Sequence, residues 1–284
     1  MTGDRPALAR VIDTTKPSAA RMYDYFLGGK DNYAVDREAA EQVLEVFPQA
    51  RQLALANRRF LVRAVRYCAE RGIDQFIDIG TGIPTLPNVP DVARKIQPHA
   101  RVVGVDNDPI VLSHHRALIA TDSGVGTVEG DVRRPDEVLG HPDLTTLIDL
   151  NRPVAVLLVA LLHFVPDEDD PAGIVRGLAQ HTAPGSYLVI TAATSTDAPA
   201  ATVKGVETVY QDATAPVIFR PEQQIRTWFH PFHLVAPGLV DVQGWRPDAT
   251  ERPTRLRIVG GVAYQKSWIE PVFSQSASQA SGRQ

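Results

Sequence analysis

The run Phe76-Ile77-Asp78-Ile79-Gly80-Thr81-Gly82 places a carboxylate two residues before a Gly-x-Gly turn. An apolar run that stops there is how a buried parallel strand hands the chain to a nucleotide-like ligand. Glycines at 80 and 82 permit positive φ and leave no Cβ between backbone and ligand. The first turn of a following helix would offer free N–H groups. Twenty-four residues after Gly82, Asp106 closes a second apolar run, Val102-Val103-Gly104-Val105. A carboxylate at the tip of the second strand of a doubly wound sheet accepts hydrogen bonds from ribose hydroxyls, which suits NAD, FAD and S-adenosylmethionine alike. Two details choose among these. Thr85 stands where a dinucleotide fingerprint has its third glycine. Asp78 would repel a diphosphate but suits a ligand that carries a sulfonium and an ammonium group. Gly130-Asp131 ends a third run and offers an acceptor to an adenine amine. Taken singly, each acidic residue is equally a helix cap, a turn residue or half of an ion pair. The ordered set of three carries the argument.

These tips need a framework. Three helices are predicted ahead of the first strand: one from Pro17 to a stop at Gly28-Gly29, one over 34–47, and one over 50–71 that ends at Gly72. Short runs rich in Val, Ile and Leu follow at 75–79, 101–105, 126–129, 153–162 and 186–191. They lack polar alternation, as strands buried on both faces should. Stretches at 88–97, 109–121 and 171–182 supply crossover helices, and right-handed βαβ units follow. Further helices are expected over 199–212 and 221–229, then an antiparallel pair of strands over 238–245 and 256–265. The expected class is α/β: a Rossmann-like, doubly wound, mostly parallel seven-stranded sheet with an antiparallel last strand and an N-terminal helical extension. Residues 1–72 form the extension and a candidate lid, 73–268 the ligand-binding domain, and 269–284 a Ser- and Gln-rich tail expected to be disordered.

Composition narrows the partners. The 284 residues are 44% hydrophobic and 22% charged, with a formal charge of −4, as in an ordinary globular protein without the basic face that nucleic acid needs. Cys68 is the single cysteine, so no internal disulfide forms. The N-terminus, with Asp4, Arg5 and Arg10, is no signal peptide, and no run approaches the ~18 apolar residues of a membrane span. A cytoplasmic protein is expected, with no nucleic-acid or membrane partner. His114 and His115 are adjacent on a helix and point apart, and Asp167 to Asp170 precede a helix whose dipole explains them. No metal is expected. Nothing in the pattern fixes an oligomeric state.

Asp78-x-Gly80-x-Gly82, Asp106 and Asp131 resemble, in order, the three cofactor motifs of class I S-adenosylmethionine-dependent methyltransferases. The chain is more closely similar to a bacterial S-adenosyl methyltransferase family formerly filed as a domain of unknown function. The likeness is carried by Pro17 to Tyr33, by Ala56-Asn57-Arg58-Arg59-Phe60-Leu61, by Gln75 to Thr85 and by Val105-Asp106-Asn107-Asp108-Pro109. It implies that 73–268 is a methyltransferase domain whose cofactor is S-adenosyl-L-methionine. It does not supply the substrate. Motif position puts Gly80, Thr81 and Gly82 against the methionine portion with Asp78 near its ammonium. Asp106 would hold the ribose, Asn107 would flank the adenine, Asp131 would meet its amine, and the Val132 N–H would meet a ring nitrogen. A small-molecule acceptor with an O or N nucleophile is expected; a cofactor sensor without turnover is the other reading.

Two further candidates need the structure. His163 ends the predicted fourth strand, and Leu162 to Glu168 is similar to a segment of small-molecule O-methyltransferases whose histidine deprotonates a hydroxyl. It is a candidate general base or a pocket-lining residue. Tyr23, Tyr25, Phe26 and Tyr33 surround Gly28-Gly29-Lys30. As a lid, this segment would place Tyr23 over the sulfonium and Lys30 on the cofactor carboxylate, with the glycines as hinge. As plain structure, it is an amphipathic helix stopped by Gly-Gly.

Overall fold

The computed structural model describes residues 14–119 and 122–266. The expected tail, 269–284, therefore lies outside the described residues, as does the leader up to residue 13. Three helices come first: α1 (Ala19–Phe26), α2 (Ala34–Val46) and α3 (Ala50–Ala69). Next come β1 (Gln75–Ile79), α4 (Val89–Arg94), β2 (Arg101–Asp106), α5 (Pro109–Ile119) and β3 (Val125–Glu129). The chain continues through α6 (Pro135–Leu139), α7 (Pro142–Leu147), β4 (Ala155–Val159), α8 (Pro171–His181), β5 (Tyr187–Thr194), α9 (Ala200–Tyr210) and α10 (Glu222–Thr227). It closes with β6 (His233–Leu234), β7 (Val240–Asp241) and β8 (Arg257–Tyr264).

Among the described residues the strands form one sheet in the order β3-β2-β1-β4-β5-β8-β6. The first five are parallel, and β8 runs antiparallel to β5. Strand order reverses between β1 and β4, which opens a crevice at the carboxyl ends of both. The count is eight rather than the expected seven, because two-residue strands β6 and β7 both pair with the outer edge of β8. The helices α6 and α7 escaped the sequence reading. Each has a Pro in its first turn and is too short to show a 3.6-residue period.

Side-chain alternation divides the core between the two faces. Phe76, Leu157, Val189 and Val262 pack with α1–α3, while Ile77, Val103, Leu158 and Ile190 pack with α6–α8 and α10. The N-terminal helices thus share a core with the sheet. Two glycines inside β8 explain how closely. A Cβ at Gly260 would lie 2.9 Å from the ring of Phe60 on α3, and one at Gly261 would lie 2.8 Å from Leu234 on the other face. Phe60 in turn meets Trp245 edge-on at 5.3 Å.

The end of α1 carries the bonds of a helix stop. The Gly28 N–H bonds the Tyr25 carbonyl and the Gly29 N–H bonds that of Asp24, the paired bonds of a Schellman cap with Gly28 at φ +82°. Gly28→Ala should therefore cost about 1–2 kcal/mol in urea unfolding, because alanine resists that backbone angle. It should leave cofactor affinity unchanged. A hinge would show the opposite pattern.

Candidate active site

Tight turns build the floor of the crevice. Gly80 (φ +71°) and Gly82 (φ +65°) turn the chain after β1, and the N–H groups of Gly80 and Thr81 both bond the Val105 carbonyl. Asp106 ties the two tips together: one oxygen accepts from Gly82 N and the other from Asp108 N, each at 3.0 Å. Burial lifts its pKa from 3.8 to about 6. Asp78 is buried and accepts from the Thr81 hydroxyl at 2.9 Å. Burial raises its pKa too, while the hydroxyl and the nearby Arg58 guanidinium oppose the rise. Thr81 spends its one proton on Asp78, so it accepts from His115 Nε2, 3.2 Å away, and that nitrogen also faces the Gly82 carbonyl. His114 turns instead toward Asp31.

Asp131 stands beyond β3. The Arg133 fork grips it, with Nε 3.0 Å from each carboxylate oxygen, and holds its pKa below the usual carboxylate range. Asp78, Gly80, Thr81, Gly82, Asp106, Asn107, Asp131 and Val132 all line one cavity of about 420 Å³, within the range of ligand clefts. Tyr23 and His163 line it as well. Lys30 does not: it stands exposed, outside the cavity lining, because the Schellman cap turns the chain away from the crevice.

The roof is α1, fastened at its N-terminal end. Ser18 Oγ donates to Asp108 at 3.0 Å, and the Pro17 carbonyl accepts from Thr214 N at 2.9 Å. Asp36, fully buried, accepts from Ser18 N, Arg21 Nε and Tyr33 N, which joins the starts of α1 and α2.

His163 is not the last residue of β4. Ala160 adopts φ +54° and gives its N–H to Thr191 Oγ1, so the strand stops and residues 162–164 form a 3₁₀ turn. Leu161 then packs where a Gly80 Cβ would sit, at 2.7 Å, which is why position 80 needs glycine. His163 is 5% exposed, and its Nδ1 accepts from Ala193 N at 3.3 Å. That bond assigns the ring proton to Nε2. Burial, helped by the Arg220 charge, pulls its pKa down to about 3. Arg220, itself 2% exposed, clamps the turn by donating to the Leu162 and Val165 carbonyls and to Asp167.

The lining also holds polar residues that were not foreseen as site residues from the sequence, among them Asn57, Arg58 and Tyr210. Asn57 and Arg58 reach the cavity from α3 and Tyr210 from the end of α9. Asn57 Oδ1 and Arg58 Nε are buried without a protein partner. A signal for Asn57 existed: it is the polar residue on the face that also carries Leu53, Phe60, Leu61 and Ala64, where an asparagine has little helix preference.

The sheet order and the carboxylates at its tips define a Rossmann-like methyltransferase fold. A model of the S-adenosyl methyltransferase family matches residues 5–266, and the chain belongs to that family. It is a methyltransferase, and S-adenosylmethionine is its cofactor. Two crystal structures are similar over nearly their whole length. A Thermobifida fusca protein described as a candidate methyltransferase shares 38% identity over 90% of this chain and 97% of its own, at a TM-score of 0.85. A DUF574 family protein of Streptomyces avermitilis shares 41% over 89% of this chain and 99% of its own, also at 0.85. No curated protein matches. The residues present fit the cofactor: the carboxylates suit its cationic and hydroxyl groups, and the orphaned Arg58 Nε suits its carboxylate. No described helix is long and apolar enough to cross a membrane.

Proposed function

We propose that the protein methylates a small molecule at an O or N nucleophile, with the cofactor lying across the β1, β2 and β3 tips under the α1 roof. One observation carries this reading. Asp78, Asp106 and Asp131, separated in sequence, line a single cavity together with a buried guanidinium nitrogen that has no protein partner. When bound, S-adenosylmethionine supplies a methyl carbon already activated by its sulfonium, so the chain has mainly to position the two reactants and exclude water. Asp106 receives the ribose hydroxyls, and Asp131 with Val132 the adenine edge beside Asn107. Gly80 and Gly82 let the backbone approach the methionine portion, and Asp78 faces its ammonium. Arg58, rather than the exposed Lys30, takes its carboxylate. Tyr23 serves as a fixed roof: its hydroxyl donates to the Ala54 carbonyl and accepts from Asn57 Nδ2.

His163 acts here as a hydrogen-bond donor that orients the acceptor, not as a base. Its Nδ1 lone pair is engaged by Ala193, and its low pKa leaves it neutral at physiological pH. The His163 Cε1–H resonance should therefore stay fixed in an NMR titration between about pH 5 and 8, whereas an unperturbed imidazole titrates near 6.5. A midpoint inside that window would restore the general-base reading.

Asp106 makes stability and binding respond to pH in opposite directions. Its folded pKa lies above its ordinary value, so its stabilising contribution is full below about 4 and is lost as pH rises through about 6. Binding needs the ionised carboxylate as acceptor. Lowering pH from 7.5 to about 5 should raise the Asp106 contribution to the stability of the free protein yet weaken S-adenosylhomocysteine binding, as melts with and without the ligand would report. Parallel slopes would contradict the ribose assignment.

A further inference from the structure

The cavity has two chemically distinct ends. Its charged lining residues gather at one of them: four aspartates on the β1–β3 tips, Arg133 on Asp131, Asp24 of α1 on the side of His114 in α5, and Arg58 beside Asp78. The other end is walled by Phe47, Phe164, Val206, Tyr210, Val217 and Ile258, and no Lys, Arg, Asp or Glu among the described residues lines it. Phe164 and Tyr210 meet there at 5.8 Å between ring centroids. A charged guest would shed its hydration in this end without meeting a counter-charge among the lining residues, which disfavours it.

The polarity at the border of the two ends is specific: Asn57 bonds Tyr23, which lies between Arg58 and Tyr210. Asn57 is 1% exposed. Tyr23 sends its single proton to the Ala54 carbonyl, so the group that meets its lone pair must be the Asn57 amide nitrogen. The Asn57 Oδ1 is thereby fixed as an acceptor, and it is buried with no partner. Tyr210 is 7% exposed, its hydroxyl makes no hydrogen bond among the described residues, and burial, with the neighbouring Tyr23 phenol, keeps it protonated. A buried acceptor left unmatched destabilises the site, and a guest's N–H or O–H would recover that loss.

Resting on the methyltransferase reading above, we propose that the acceptor is an uncharged, largely apolar molecule, aromatic in kind, whose O–H or N–H donates to Asn57 Oδ1. Neutral phenols, hydroxyarenes and aryl amines belong to this class; carboxylated, phosphorylated and ammonium-bearing metabolites do not.

The test is calorimetry on protein saturated with S-adenosylhomocysteine, with 2-naphthol, naphthalene and 2-naphthoate as probes. 2-Naphthol should bind at least about tenfold tighter than 2-naphthoate and about three- to tenfold tighter than naphthalene. In Asn57→Leu the advantage of 2-naphthol over naphthalene should vanish while naphthalene binds as before. Binding of 2-naphthoate as tight as that of 2-naphthol overturns the proposal. So does an advantage that survives Asn57→Leu, or no probe binding at all while S-adenosylhomocysteine binds. Comparison of the probes on the unaltered protein decides the charge question even where the variant fails to fold. Failure of S-adenosylhomocysteine itself to bind is a different result: it removes the cofactor assignment on which the proposal rests.

Discussion

Asp106→Asn should weaken S-adenosylhomocysteine binding by about 100-fold or more. Each hydrogen bond from a ribose hydroxyl to a carboxylate contributes about 1.5–3 kcal/mol, and the pair therefore accounts for two decades or more. The amide also cannot reproduce the bridge between the two tips. The carboxylate accepts from Gly82 N and Asp108 N at once, whereas an amide must turn its NH₂ toward one of those N–H groups. The glycine turn would loosen as the ribose contact is lost. Calorimetry gives the affinity and circular dichroism shows that the fold persists. An affinity within threefold of the unaltered protein would remove Asp106 from the cofactor site.

The second large effect is expected at Arg58. Its Nη2 donates to the Pro87 carbonyl at 2.7 Å and to the Thr85 carbonyl, while Nε is buried without a protein partner. A carboxylate there makes a charge-assisted bond in a mostly buried setting, the strong kind. Arg58→Met should cost about 10- to 100-fold in S-adenosylhomocysteine affinity, while 5′-methylthioadenosine, which lacks the amino-acid portion, should bind as before. Lys30→Met should change neither. If Lys30→Met weakened binding and Arg58→Met did not, the two assignments would exchange. If Arg58→Met weakened both ligands equally, its role would be to hold the Thr85–Pro87 loop.

Part of this site was legible in the chain because strand tips announce themselves. An apolar run that halts at an acidic residue and a glycine, as at Asp78, Asp106 and Gly130-Asp131, records both the burial of the strand and the change of environment where it ends. All three carboxylates line one cavity. Residues that reach the cavity from elsewhere leave no such local trace. Asn57, Arg58 and Tyr210 arrive on α3 and α9, and their meeting depends on how helices pack across the sheet face, which spacing along one helix does not encode. Asn57 came nearest to being visible, as a polar residue on an apolar face.

The fourth strand shows the opposite difficulty. Residues 153–162 read as one long apolar run, but the chain breaks at Ala160, where a side-chain hydroxyl on β5 takes the N–H that would have continued the ladder. A hydrogen bond to a residue 31 positions away cannot be inferred from apolar content. The consequence is functional: His163 sits in a turn, pinned through Nδ1, instead of projecting from a strand end. Gly28-Gly29 illustrates a third case. Glycine pairs serve hinges and helix caps alike, and the two bonds to Tyr25 and Asp24 that form a cap are not legible in the sequence.

The central claim is that the cofactor spans the β1–β3 tips, with its amino-acid end between Asp78 and Arg58. A crystal structure with S-adenosylhomocysteine tests it most directly. The ribose hydroxyls should lie within hydrogen-bond distance of Asp106, the adenine amine near Asp131, and the carboxylate on Arg58, with α1 in place above. Electron density for the ligand elsewhere, or with its carboxylate on Lys30 and α1 displaced, would contradict the account.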